Sequence, residues 1–203
     1  FADLSGRQSE PTTDLLGFSL VISLSVLAVV ATLLFGGGTF RWQDAGIHPD
    51  QWTESVQLGA NGLIAAVLPT ALMLVATYSF RDRDTQHSLL RLLGETLDPR
   101  VIALLTFTAV VVAPFSEELL FRVTLQGWLT ARIGSTWAVP AVSVFFAAIH
   151  GWRDGLALLP LALILGYVYD RRNDFLAVVV MRGLFNAANL VLMLLARPGA
   201  TPL

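Results

Sequence analysis

The chain has 203 residues, 55% hydrophobic and only 14% charged, with a formal net charge of -2 and a mean hydropathy of +0.66. Soluble domains are about a quarter charged, so this composition speaks for a membrane protein, and the slight negative balance argues against a nucleic-acid partner. The absence of Cys excludes disulfide and thiolate chemistry.

Residues 1–14 are polar and mixed in charge. They begin on Phe1 rather than Met, as a trimmed chain or fragment does, and lack the basic start and cleavage site of a signal peptide. Residues 15–35 and 58–80 are runs of 21 and 23 residues without a charge. Each exceeds the ~20 residues that cross a hydrocarbon core. Gly36-Gly37-Gly38 closes the first and Arg81-Asp82-Arg83-Asp84 the second. Trp42 and Trp52 between them suit an interfacial belt. A polar loop follows over 81–100, with a short interfacial helix expected at 88–97. A long helix is expected over 101–131, bent at Pro114, which interrupts the apolar run. Two apolar stretches of 14 residues, 137–150 and 156–169, are marginal for a full crossing, and 175–196 is long enough but contains Arg182. The sum is an all-α bundle of about six transmembrane helices. Two N-terminal helices (15–80) precede a membrane core (101–197). The apolar runs are continuous rather than alternating, which disfavours strands.

A charged side chain at membrane depth costs about 2.5–3.5 kcal/mol on insertion scales. Such residues here are Glu117, Glu118, Arg122 and Arg182, and His150 ends an apolar stretch. Glu118 and Arg122 are four apart, so a helix can pair them. Glu117 then points about 100° away. Phe146 and His150 are four apart, as are Arg182 and Asn186. Three helices thus each offer polar groups, and these must face one another or a wet cavity. A carboxylate left free beside an imidazole can take a proton from water, and an Asn or Arg can hold a developing oxyanion. That set suffices for amide hydrolysis. Zinc is disfavoured, because His48 and His87 fall in expected loops. Plainer readings stand beside these: His150 as a helix cap before Gly151, Arg182 as the partner of a carboxylate, Asn186 and Asn189 as interhelical hydrogen-bond donors.

Glu117-Glu118-x-x-x-Arg122 resembles the first motif of the CAAX-protease and bacteriocin-processing (CPBP, or Abi) family. Phe146-x-x-x-His150 resembles its second, and Arg182-x-x-x-Asn186, after Gly166-Tyr167-Val168-Tyr169 and a basic turn, falls where its third is expected. The resemblance covers about residues 98–195. It implies an intramembrane glutamate endopeptidase without a cofactor, acting on membrane-associated peptides or proteins. By that resemblance Glu117 and His150 activate the water, Asn186 serves the oxyanion, and Glu118, Arg122 and Phe146 support them. The third motif usually begins with His, where this chain has Arg182. Arg only donates and cannot act as a base. It can replace an oxyanion donor, or it can pair with Glu117 and leave a catalytically degenerate scaffold with an immunity, assembly or regulatory role. All 13 basic residues are Arg, as in a GC-rich bacterial genome. The inner membrane of a bacterium is therefore expected, with a substrate other than a prenylated CAAX tail. Six crossings put seven Arg on the side of the termini and four on the other, which favours cytoplasmic termini.

Overall fold

A computed structural model describes residues 13–78, except 37 and 39, and 99–195. The short helix expected at 88–97, most of the polar first segment and the tail from 196 lie outside the described residues. The helices are α1 (Thr13–Phe35), α2 (Trp52–Ala76), α3 (Pro99–Ile133), α4 (Ser135–Ile149), α5 (Trp152–Arg172) and α6 (Phe175–Leu195). No strand occurs among the described residues. The span Pro49–Ala76, α3 and α6 are each long and apolar enough to cross a membrane.

Two helices extend furthest beyond the expected runs. Helix α2 begins six residues before the run 58–80, because the Pro49–Gln51 turn starts it and Glu54 sits in its first turn. There an acidic side chain favours the helix N-terminus. Helix α5 is 21 residues, not 14, because it starts four residues earlier, at Trp152, and Asp170, Arg171 and Arg172 continue it.

Helix α2 buries a stripe of small residues, Ser55, Gly59, Gly62, Ala66 and Thr70. Its other face, with Ile64, Leu68, Leu72 and Val75, is exposed and suited to lipid. Apolar burial drives little association in a bilayer, so small side chains that let backbones approach carry the contact. A Cβ on Gly59 would lie 2.5 Å from the Ala177 carbonyl oxygen of α6. Asp174 clamps this seam: Oδ1 accepts from the Ala177 N–H at 2.9 Å and Oδ2 from Ser55 Oγ at 2.7 Å. Ser55 meets Asp174 and Gly59 meets Ala177, so α2 and α6 run parallel. Helix α3 runs antiparallel to α6, with Ala109 against Asn186 and Leu105 against Leu190. This is the alternation that successive crossings require.

The seam gives the first prediction. Gly→Ala on an exposed helix face stabilises by about 0.8–1 kcal/mol. Gly59→Ala should reverse that sign, because the methyl meets a backbone oxygen, and overpacking costs about 1–3 kcal/mol. A thermal melt in detergent checks it; a melting point at or above wild type would remove the seam as the tight contact.

Candidate active site

The site is built on α3, which is not a uniform helix. Pro114 has no N–H, and just before it the Ala113 N–H reaches back five residues to the Thr108 carbonyl. The turns Thr108–Val112 and Leu119–Gln126 are both π-helical. Single π turns inside α-helices occur often at functional sites. Between them lie Glu117 and Glu118.

Glu118 and Arg122 form the pair expected from their spacing. Arg122 Nε donates to Glu118 Oε2 at 2.9 Å, with both side chains fully buried. The pairing extends one step further than expected. Arg122 Nη1 donates to Gln126 Oε1 at 3.3 Å, and Gln126 Nε2 donates to the Gly166 carbonyl of α5 at 2.9 Å. Gln126 is thus a member of the site that the motifs omit, although the spacing 118, 122, 126 carries the signal. Gly166 is the residue that admits the ladder, since a Cβ there would lie 3.0 Å from Gln126 Oε1.

Glu117 points elsewhere. Its Oε2 accepts from Arg182 Nη2 at 2.9 Å. The same nitrogen lies 3.3 Å from His150 Nε2. Residues 117, 150 and 182, on three elements and far apart in sequence, therefore meet at one atom. His150 Nδ1 lies 2.8 Å from the Phe146 carbonyl oxygen. A carbonyl only accepts, so Nδ1 carries the proton, and Nε2 presents its lone pair to Arg182. His150 is both cap and site residue: one ring nitrogen closes the end of α4, the other faces the cluster. Phe146, fully buried, is the floor beneath them. Its ring lies 4.2 Å from the His150 ring and 4.5 Å from the Arg182 guanidinium carbon, centroid to centroid and centroid to atom. Phe121 meets its edge at 5.0 Å.

Asn186 is placed apart from this cluster. Its Nδ2 donates to the Ala109 carbonyl of α3 at 2.8 Å. Asn189 donates to Phe185 of its own helix. Expected together, Glu117, His150 and Arg182 are together; Asn186 lies one helical turn further along, on backbone.

The cluster holds two carboxylates and two guanidinium groups, so its formal charge is balanced. The Glu117 side chain is 28% exposed, against 4% for Arg182, so Glu117 is the member that a substrate can reach. Glu118 Oε1, Arg122 Nη2 and Arg182 Nε and Nη1 are buried with no hydrogen-bond partner among the described residues. The guanidinium of Arg182 therefore keeps donor capacity that its two contacts leave unused. Chemically the arrangement offers a partly exposed carboxylate, an imidazole lone pair and a fixed cationic donor within one small volume. Among the described residues no three His, Asp or Glu side chains converge as a metal site.

Residues 99–188, the part of the chain that carries Glu117, Glu118, Arg122, His150, Arg182 and Asn186, match the family described as type II CAAX prenyl endopeptidase Rce1-like. No curated protein and no solved structure matches the chain.

Proposed function

We propose that this membrane protein, whose residues 99–188 match the type II CAAX prenyl endopeptidase Rce1-like family, hydrolyses peptide bonds of membrane-associated substrates, with Glu117 and His150 activating the water. The observation that carries the reading is the meeting of Glu117 and His150 at a single nitrogen, 2.9 Å from one and 3.3 Å from the other. A point within hydrogen-bond reach of a carboxylate and an imidazole lone pair is where a water is deprotonated. In the resting site Arg182 Nη2 holds that point.

The proposed cycle starts when a substrate carbonyl oxygen draws the Arg182 donor toward itself and a water takes the vacated place. Glu117 accepts a proton as the water oxygen bonds to the carbonyl carbon. Arg182 holds the negative oxygen that forms, the role of an oxyanion donor. Collapse breaks the C–N bond, and the proton passes from Glu117 to the leaving nitrogen. One acid and one amine result, and the site returns unchanged. His150, held by its Nδ1–H on Phe146, keeps its lone pair on the water. Glu118 is held by Arg122 and has no part in the cycle. A divalent ion between Glu117 and His150 would lie against the Arg182 cation, which disfavours a metal route. The inner membrane of a bacterium suits the Lys-free composition, and a non-prenylated peptide suits that location.

One observation favours a second reading. The Glu117–Arg182 pair neutralises the proposed base. If that pair never opens, the chain is a silent member of the scaffold with an immunity, assembly or regulatory role. The test is cleavage of a fluorogenic, membrane-anchored peptide in proteoliposomes. Cleavage by wild type and none by Glu117→Ala is the expected result. Equal cleavage by both would overturn the assignment of Glu117.

A further inference from the structure

The π turn in α3 has an energetic gap that α6 fills. In an unbroken α-helix the Ala113 N–H would serve the Ala109 carbonyl, four residues back. Here it serves Thr108 instead. In the π register the donor to Ala109 would be the N–H of residue 114, which is Pro114 and has none. In the π register that α3 adopts, Ala109 is therefore left without a backbone donor. An unpaired carbonyl at membrane depth costs several kcal/mol. The Nδ2 of Asn186 lies 2.8 Å from that oxygen. One turn earlier on α6, Gly183 lets the two helices touch, since a Cβ there would lie 2.7 Å from the Val110 carbonyl oxygen.

We infer that Asn186 is a positioning residue that stands in for the missing N–H of Pro114 and holds the bulge of α3 in its π register. The register matters to the site. A π turn holds one residue more than the α turn it replaces, and each residue turns the helix by about 100°. If the bulge relaxed, α3 beyond Val112 would rotate by about that angle relative to its start. Glu117 and Glu118 are adjacent, so the same rotation would change which carboxylate faces Arg182. The hydrogen bond from Asn186 therefore selects Glu117. It acts through α3, eight residues before the carboxylate that it orients.

The inference rests on the peptidase reading only where it concerns activity, and its test has an arm that does not. Pro114→Ala returns an N–H to residue 114, which gives Ala109 a backbone donor in either register. Asn186→Leu removes the side-chain donor. Melting points in detergent are measured for wild type, both single variants and the double variant. Asn186→Leu is expected to lower the melting point by roughly 2–12 °C in the wild-type background and by much less in the Pro114→Ala background. An equal shift in both backgrounds, or none in either, would overturn the inference. If Asn186→Leu alone yields no folded protein, recovery of folded protein in the double variant is the supporting result, and failure of both is the overturning one. In the cleavage assay, Asn186→Leu should lower kcat at unchanged KM. A donor to the oxyanion would instead lose about 10²–10³-fold regardless of residue 114. A melting-point cycle that couples while no variant cleaves would keep the positioning role and remove the peptidase reading.

Discussion

Arg122→Met is expected to be the most destabilising single change in the bundle, by about 3–5 kcal/mol. The methionine fits the space, but Glu118 is then a fully buried carboxylate whose hydrogen-bond partner is gone. Gln126 Oε1 loses its donor as well. The double variant Glu118→Leu/Arg122→Met should recover most of the loss. Replacing both members of a buried pair by apolar residues is often neutral or better, whereas removing one strands the other. What remains lost is the contact to Gln126, which keeps its bond to the Gly166 carbonyl. Thermal melts of the three proteins in one detergent decide the matter. A double variant that melts as low as Arg122→Met would mean that the pair acts by something other than mutual neutralisation.

The same pair shows how much of the site was legible beforehand. Spacing by four places two side chains on one face of any helix, and charge in an apolar run must find a partner, so Glu118–Arg122 follows from local rules alone. The separation of Glu117 from that face follows from the same geometry. The apolar periodicity announced six helices, and the described residues contain six. The rest depends on contacts between segments distant in sequence. Nothing local says that Gly59 must lie on Ala177, or that Ser55 reaches Asp174. The π turns are invisible to a 3.6-residue pattern, and with them the orphaned carbonyl at Ala109. Motif position therefore points Asn186 at the reacting centre, while in the structure its Nδ2 donates to the Ala109 carbonyl. Charge does not stop α2 or α5: Glu54 and Arg171 sit at helix ends where the helix dipole favours them.

Arg182 sets the other large effect, because two roles demanded of it pull in opposite directions. As a permanent cation paired with Glu117 it competes for the oxygen that must take a proton. As a donor whose Nε and Nη1 have no partner among the described residues, it is the group able to hold an oxyanion. Arg182→Met removes both and should lower kcat by about 10²–10³-fold. The fold should suffer less than in Arg122→Met, since Glu117 is partly exposed and can be solvated. Arg182→Lys keeps the charge but loses the planar fork that touches Glu117 and His150 together, and should fall between Arg182→Met and wild type. Arg182→His is the discriminating variant. A neutral imidazole still donates a hydrogen bond, yet it leaves the cluster with two carboxylates against Arg122 alone. Glu117 then carries an uncompensated negative charge, which is what a base requires. The expected result is cleavage by wild type, little by Arg182→Met, and a higher kcat for Arg182→His. Silence of wild type with activity in Arg182→His would instead select the degenerate scaffold. Full activity in Arg182→Met would sink the oxyanion role, because the reaction would then proceed without the only cation that touches both Glu117 and His150 among the described residues.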